Sequence, residues 1–279
     1  MMENNLLALY GLKHRPFTIS VGVENLWVPP YAKAFIDRIQ DMVLDGGFAL
    51  LCGEAGLGKS KIMQVYAQRL KGLSSDIVAG VMQRPQNSLS DFYRELGDLF
   101  GIPLSTNNRY GGFKALRTRW HSYMASCFWR PVLLIDEAQE MSTICLNELR
   151  LLISENFDSD YLMTVVLSGD TRLLDRLATR ELIPLGSRIR TRHRLQALDN
   201  ETLRDFLDHQ LDAAGAPQLM TQELKNTCVE HCGGNLRILC AIGTELLNAG
   251  ADRDLRQLDE KLYLELFGQQ PPQKSRTRR

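Results

Sequence analysis

The stretch GEAGLGKS, residues Gly53–Ser60, decides the fold of this 279-residue chain. It follows the apolar run FALLC, Phe48 to Cys52, and precedes KSKIMQVYAQRLKGL, which has the pattern of a helix. The pattern G-x-x-x-x-G-K-[ST] between a buried strand and a helix is typical of a phosphate-binding loop. Its glycines let backbone N–H groups turn toward phosphates, and the helix N-terminus adds partial positive charge.

The residue types in this loop predict a role for each part of a bound nucleotide. We expect Lys59 to reach the β- and γ-phosphates of ATP and the Ser60 hydroxyl to coordinate Mg²⁺. The residues predicted to bind the nucleotide here are Gly53, Glu54, Ala55, Gly56, Leu57, Gly58, Lys59, Ser60 and Lys61.

Two further strand ends supply the polar groups that hydrolysis needs. In LLIDEAQE, Asp136 ends a buried strand and can hold Mg²⁺ through its water shell, while Glu137 can position or deprotonate the attacking water. A strand-terminal Asp-Glu pair is weak evidence alone, but beside a phosphate loop it predicts ATP hydrolysis. In VVLSGD, Ser168 or Asp170 could reach between the γ-phosphate and the acidic pair, although a polar strand end is also an ordinary loop start.

Bulk composition limits the class of protein. Lys and Arg number 33 and Asp and Glu number 33, so net charge favours neither nucleic acid nor membrane as a partner. The N-terminus lacks the basic and apolar regions of a signal peptide, and no apolar run approaches the ~20 residues of a spanning helix. The six cysteines lie mostly in apolar runs, as reduced thiols do. We therefore expect a cytoplasmic protein with no membrane partner.

The order of apolar runs predicts an α/β fold, a parallel sheet flanked by helices on both faces. Strands are predicted at FALLC, DIVAGVM, the start of LLIDEAQE, LMTVVLSGD and TRHRLQAL, with helices between them. Beyond Asn200 the pattern is helical only. The predicted domains are an extended N-terminal arm (1–30), a nucleotide-binding core (31–198), a small C-terminal helical lid (199–267) and a basic tail (268–279).

Arginines near the end of the core suggest a site completed by another subunit. In GSRIRTRHR, Arg188 is the first candidate for an arginine finger that acts in trans on a neighbour's γ-phosphate, and Arg190 is the second. A solvated basic strand edge is the alternative. Arg237, at the start of a helix after Gly233-Gly234-Asn235, could fold over the nucleotide, or could be a surface charge.

These motifs, in this order, resemble those of AAA+ ATPases. Gly53–Ser60 looks like Walker A, Leu133–Glu137 like Walker B, Ser168 like sensor 1, Arg188 like the finger and Arg237 like sensor 2. The resemblance extends from about Leu6 to Phe267. It implies an AAA+ P-loop core, ATP and Mg²⁺ as cofactors, and a homo-oligomer that is either a ring or a helical filament.

YGLKHRPF, GGFALLCGEAGLGKS and LLIDEAQEM look like the ExeA-type branch of that family. The branch includes secretion and pilus-assembly ATPases, and stand-alone transposon ATPases similar in role to MuB, TnsC and IstB. The transposon members bind DNA as ATP-dependent oligomers, select target sites and recruit or stimulate a DDE transposase. RPQNSLSDFYRELGDLFGIPL, NRYGGFKALRTRW and PLGSRIRTR, and an ending at Arg279 without an envelope module, favour transposition over secretion as an expectation.

The resemblance implies contacts with duplex DNA after the second core strand. Polar and basic side chains there can hold phosphates without reading bases, although each could equally lie on a solvated helix face. The predicted DNA contacts are Arg84, Gln86, Asn87, Asn107, Asn108, Arg109, Lys114, Arg117 and Arg119. The tail residues Lys274, Arg276, Arg278 and Arg279 are expected to bind DNA, the transposase or nothing.

Overall fold

The computed structural model describes residues 2–18, 21–85, 87–104 and 108–268, with side chains from residue 6 onward. Gln86, Asn107 and the basic tail from residue 269 therefore lie outside the described residues. The chain divides into two compact units. One runs from Val28 to Gln196, and the other combines the residues up to Trp27 with those from Ala197 onward.

The first unit is built on a parallel sheet. The strands are β1 (Gly47–Cys52), β2 (Ala79–Met82), β3 (Val132–Ile135), β4 (Ser154–Glu155), β5 (Asp160–Tyr161), β6 (Thr164–Gly169) and β7 (Ile189–Arg194). Five of them form one sheet in the order β2-β3-β6-β1-β7, and β4 and β5 form a separate antiparallel hairpin. Every neighbouring pair in the large sheet is parallel, so the carboxyl ends of β1, β3 and β6 lie side by side.

Helices cover both faces of this sheet. The helices of the chain are α1 (Met2–Tyr10), α2 (Pro30–Asp45), α3 (Lys59–Leu73), α4 (Leu89–Phe100), α5 (Arg109–Ser126), α6 (Thr143–Ile153), α7 (Thr171–Leu177), α8 (Ile183–Gly186), α9 (Asn200–Ala214), α10 (Gln222–His231), α11 (Leu236–Asp252) and α12 (Glu260–Phe267). Phe48, Leu50 and Cys52 of β1 belong to the apolar cluster that includes α4, α5 and α6. Ala49 and Leu51 point the other way, into the cluster with α2 and α3. Burial on both faces explains why the three central strands β1, β3 and β6 are largely apolar, and it confirms the predicted α/β fold.

The second unit is helical and includes a helix that differs from the predicted extended segment. Residues 2–10 form helix α1, whereas the first 30 residues were expected to be extended. The expectation rested on proline, but the first proline in the chain is Pro16, which follows this helix. Leu6, Leu12 and Phe17 are buried in one apolar core with α9, α10, α11 and α12.

Other boundaries also differ from the predicted ones. The run FKALRTRWHSYMAS predicts a helix from Phe113, but α5 begins at Arg109, because the Asn108 side chain accepts a hydrogen bond from the Gly111 N–H and caps the helix. The run CLNELRLLISENF predicts a helix as far as Phe157, but α6 stops at Ile153 and the hairpin β4–β5 follows it. Among the described residues, no helix is both long and apolar enough to cross a bilayer.

Candidate nucleotide site

The phosphate loop joins the end of β1 to the start of α3. Gly53, Gly56 and Gly58 all have positive φ, at 157°, 86° and 94°, which glycine adopts without strain. Gly53 also has no room for a side chain, since a Cβ there would lie 2.8 Å from the carbonyl oxygen of Leu195. Leu57 is buried beneath the loop. The loop therefore has the strand–loop–helix context that the motif requires.

Lys59 is the most constrained side chain of the loop. It is only 7% exposed, and its ammonium Nζ donates to the carbonyl oxygens of Gly53 at 2.8 Å and Glu54 at 3.0 Å. Ser60 lies exposed in the first turn of α3. Lys61 donates to Gln64 at 3.2 Å. The structure thus places the positive charge of Lys59 inside the loop, and Lys61 on the helix beside it.

The acidic pair follows β3, next to the end of β6. The Ser168 hydroxyl donates to Asp136 Oδ1 at 2.8 Å, and the Glu137 backbone N–H donates to the same oxygen at 3.0 Å. Glu137 is exposed and has a left-handed backbone, with φ at 51°. Asp136 therefore connects the predicted catalytic glutamate with the predicted sensor serine. Its carboxylate and the Ser60 hydroxyl are both oxygen donors of the kind that Mg²⁺ accepts beside nucleotide phosphates.

The structure separates the two polar candidates at the end of β6. Asp170 caps helix α7: its carboxylate accepts from the Arg172 backbone N–H at 2.9 Å and pairs with the Arg172 guanidinium at 2.7 Å. Ser168 instead contacts Asp136. Of the two, Ser168 has the position expected of a residue between the acidic pair and a γ-phosphate.

One buried polar residue of the site was not predicted. Gln139 lies two residues after Glu137, is 8% exposed, and hydrogen-bonds the Glu137 carboxylate. The only sequence signal was a glutamine directly after a strand-terminal acidic pair, in DEAQ. Its second partner, the backbone of Asp170, lies 31 residues away and was not visible in the sequence.

The arginine-finger candidates lie near the hairpin β4–β5. Arg188 precedes β7, and its guanidinium donates to the Asp158 carboxylate and to the Pro184 carbonyl oxygen. This contact lowers the pKa of Asp158, chiefly through the hydrogen bond from Arg188. The guanidinium carbon of Arg190 lies 5.3 Å from the ring centre of Tyr161, a cation–π distance. Among the described residues, the hydrogen bonds and ion pairs of these two side chains do not include the phosphate loop.

Arg237 belongs to the helical unit. It lies in the first turn of α11, where the Asn235 side chain caps the helix by accepting from the Arg237 backbone N–H at 3.0 Å. Its predicted contact with the nucleotide stays a prediction.

The predicted DNA-contacting residues fall into two groups. Arg109 donates to the buried carboxylate of Glu148 at 2.8 Å, and Arg117 donates to Glu155 at 2.5 Å and to the Leu152 carbonyl oxygen at 2.9 Å. These two arginines therefore hold α5 against α6 and the segment that follows it. Asn108 is the cap of α5.

The second group faces solvent. Lys114 and Arg119 are exposed, and with Thr118 and Ser122 they line an open groove of about 740 Å³ along α5. Arg84 and Asn87, between β2 and α4, are exposed as well. Arg109 and Arg117 are thus paired with carboxylates of their own unit, whereas Lys114 and Arg119 line the groove.

Comparisons with known proteins agree with this geometry. Residues 43–177 match the family model of the AAA domain. The chain is 27% identical over 249 residues to general secretion pathway protein A of Aeromonas hydrophila, covering 88% of this chain and 44% of that protein. The chain thus spans less than half the length of this curated relative.

Solved structures show the same fold at low sequence identity. The ORC2 protein of Aeropyrum pernix superposes with a TM-score of 0.69 at 15% identity, covering 92% of this chain and 72% of that one. The ORC1 protein of Aeropyrum pernix in complex with DNA gives 0.64 at 16% identity, covering 90% and 68%. The matched residues 43–177 hold the phosphate loop and the acidic pair, and the chain has the fold of an AAA+ P-loop ATPase core.

Proposed function

We propose that this protein is an ATP-dependent, DNA-binding regulator of transposition that acts in the cytoplasm. It oligomerises on duplex target DNA as a ring or helical filament and recruits or stimulates a DDE transposase. Hydrolysis of ATP controls disassembly. The observation that supports ATP hydrolysis is the contact of Asp136 with both Ser168 and Glu137, beside the loop that holds Lys59.

Each residue of this site has a distinct role in the proposed hydrolysis. Lys59 binds the β- and γ-phosphates, and Glu137 orients and deprotonates the attacking water. Ser168 contacts the γ-phosphate and reports its loss to Asp136. Ser60 and Asp136 hold Mg²⁺, which neutralises charge on the phosphates when bound.

Arginines from two further places complete the proposed site. Arg188 reaches the γ-phosphate bound by the neighbouring subunit, with Arg190 as the second candidate. Arg188 pairs with the Asp158 carboxylate of its own subunit. On reaching the phosphate, Arg188 either leaves Asp158 or contacts both groups. Arg237 approaches the nucleotide from the helical unit, which acts as a lid.

The exposed basic side chains along α5 support the DNA-binding part of the proposal. Lys114 and Arg119 line the open groove, and Arg84 and Asn87 are exposed in the segment between β2 and α4. Lysine and arginine that bind phosphate oxygens give affinity without sequence preference, which suits a protein that accepts many target sites. The ORC1 structure in complex with DNA is a fold relative with such a partner.

An assembly experiment tests this function. The purified chain is mixed with duplex DNA and a non-hydrolysable ATP analogue. Oligomers are counted by electron microscopy, and their formation is followed by light scattering. We expect oligomers that require both DNA and nucleotide, and that persist in Glu137→Gln supplied with ATP. A folded protein that binds ATP but shows no DNA-dependent assembly would contradict the proposal.

A second function is favoured by one observation, the 27% identity to general secretion pathway protein A. In that case the chain is an ATPase of envelope assembly, with a secretion or pilus component as its partner. Its turnover would then be independent of DNA. A transposase gene beside the coding sequence supports the first function, and a secretion or pilus gene cluster supports the second.

A further inference from the structure

Gln139 occupies a position between the acidic pair and the end of β6. It lies in the short turn Ala138–Glu140, and its side-chain amide makes a hydrogen bond at each end. The amide Nε2 donates to Glu137 Oε2 at 2.5 Å, and the amide Oε1 accepts from the Asp170 backbone N–H at 3.1 Å. A buried amide with both ends paired is fixed in orientation, because turning it over would put two acceptors or two donors together.

The surrounding structure is shaped to hold this amide. Gly169 has no space for a side chain, since a Cβ there would lie 2.6 Å from Gln139 Oε1. The Arg176 guanidinium donates to the Gln139 carbonyl oxygen, which ties the turn to α7. Both the backbone and the side chain of Gln139 are therefore held by the elements around the end of β6.

Glu137, in contrast, has little else to fix its side chain. It is exposed, and a glutamate side chain that is free to rotate loses considerable entropy when it is held in one orientation. Its φ of 51° is uncommon for a residue other than glycine, and such conformations concentrate at functional sites. The hydrogen bond from Gln139 leaves the other carboxylate oxygen, Oε1, available for a water molecule.

We propose that Gln139 is a positioning residue for ATP hydrolysis, which holds Glu137 Oε2 so that Oε1 faces the attacking water. This inference rests on the proposed role of Glu137 as the base. Two connections then join the acidic pair to β6: Asp136 to Ser168 directly, and Glu137 to Asp170 through Gln139. A displacement of the end of β6 when the γ-phosphate leaves is transmitted to both carboxylates together.

Two substitutions at one position test the inference. Gln139→Leu removes the amide, and Gln139→Glu keeps its shape but replaces the donor with an acceptor that repels Glu137. We expect both to lower kcat for ATP by about 10-fold or more, because misplacing a reacting group is costly even when binding is unaffected. The dissociation constant for an ATP analogue stays near that of the wild type, and a cooperative thermal transition shows that both variants are folded. Gln68→Leu, the same change on the exposed face of α3, is the matched control.

A double variant separates positioning from a general loss of structure. If Gln139 acts only through Glu137, then Glu137→Gln combined with Gln139→Leu is no slower in single turnover than Glu137→Gln alone. A kcat within twofold of the wild type, a matching loss of nucleotide affinity, or additive losses in the double variant would overturn the inference. Full turnover by Glu137→Gln would instead overturn the proposed function. Loss in Glu137→Gln with normal Gln139 variants would overturn only the role of Gln139.

Discussion

The carboxyl edge of the large sheet and the basic helix α5 both concentrate charged side chains, but they use them in opposite ways. At the sheet edge, Lys59 donates to carbonyl oxygens of its own loop, and Ser168 donates to Asp136 at the end of the neighbouring strand. On α5, Arg109 and Arg117 are paired with acids of the same unit, while Lys114 faces solvent. A charged side chain that already pairs within the fold mainly stabilises it, so only the remaining charges are available to a ligand.

The two regions differ most in the partners of their buried charged groups, Glu148 and Lys59. Glu148 is 3% exposed and receives hydrogen bonds from Arg109 and from Tyr93, the latter at 2.5 Å. Burial alone would raise the pKa of Glu148, but these hydrogen bonds outweigh it and the pKa lies below its usual value. Lys59 is also buried, yet its partners are backbone carbonyls of a loop that the motif assigns to phosphate. The Glu148 carboxylate is paired with Arg109 and holds α5 in place, whereas the Lys59 ammonium lies in a loop whose motif predicts phosphate binding.

The largest effect is expected at the sheet edge. Lys59→Ala removes the charge that binds the phosphates, so we expect kcat/KM for ATP to fall by about 100-fold or more. Steady-state ATPase assays with Lys71→Ala as the control measure this, because Lys71 lies exposed in the last turn of the same helix. If Lys59→Ala kept its ATP turnover, the loop would not be the catalytic phosphate site, and the contrast with α5 would be wrong.

The next effect is expected on α5 and concerns folding. Arg109→Ala leaves the buried Glu148 carboxylate without its cationic partner, which costs about 2 to 3 kcal/mol of unfolding free energy. Arg94→Ala breaks an exposed pair with Asp91 and should cost at most about 1 kcal/mol. Urea unfolding of the two variants gives the difference. Equal stability of both would show that Arg109 is not structural, and would return it to the DNA surface.

The same comparison shows what the sequence can reveal. The phosphate loop, the acidic pair and the buried strands were all predicted from residues adjacent in the chain, and the predicted α/β fold with its parallel sheet was confirmed. Glu148, the partner of Arg109, lies 39 residues further along the chain. Nothing in the neighbouring sequence therefore shows that Arg109 is paired and Lys114 is exposed. The hairpin β4–β5 was hidden for another reason. Its turn puts Asn156, Phe157 and Asp158 at positive φ without a glycine, and the apolar pattern of α6 appeared to continue through it.

The stability difference caused by Arg109 should depend on pH. The folded-state pKa of Glu148 is below its unfolded value, so the stabilisation is present in full above the unfolded pKa and is lost as pH falls through the folded one. We therefore expect the gap between wild type and Arg109→Ala to be widest near pH 7 and to narrow below about pH 4. Unfolding free energies measured at neutral and acidic pH provide the check, and a gap that widens in acid would refute the assignment.

The smallest effect on stability is expected for Lys114, the exposed lysine of α5. Lys114→Ala should leave the unfolding free energy within about 0.5 kcal/mol of the wild type, because the side chain is exposed. If Lys114 binds a DNA phosphate, the slope of log affinity against log salt should become shallower by about 1, equally for all duplex sequences. Fluorescence anisotropy over a salt series measures the slope, with Lys71→Ala as the control. The outcome that contradicts this assignment is an unchanged slope for Lys114→Ala together with a shallower slope for Arg84→Ala of normal stability. The DNA contacts would then be assigned to the loop after β2 and not to α5.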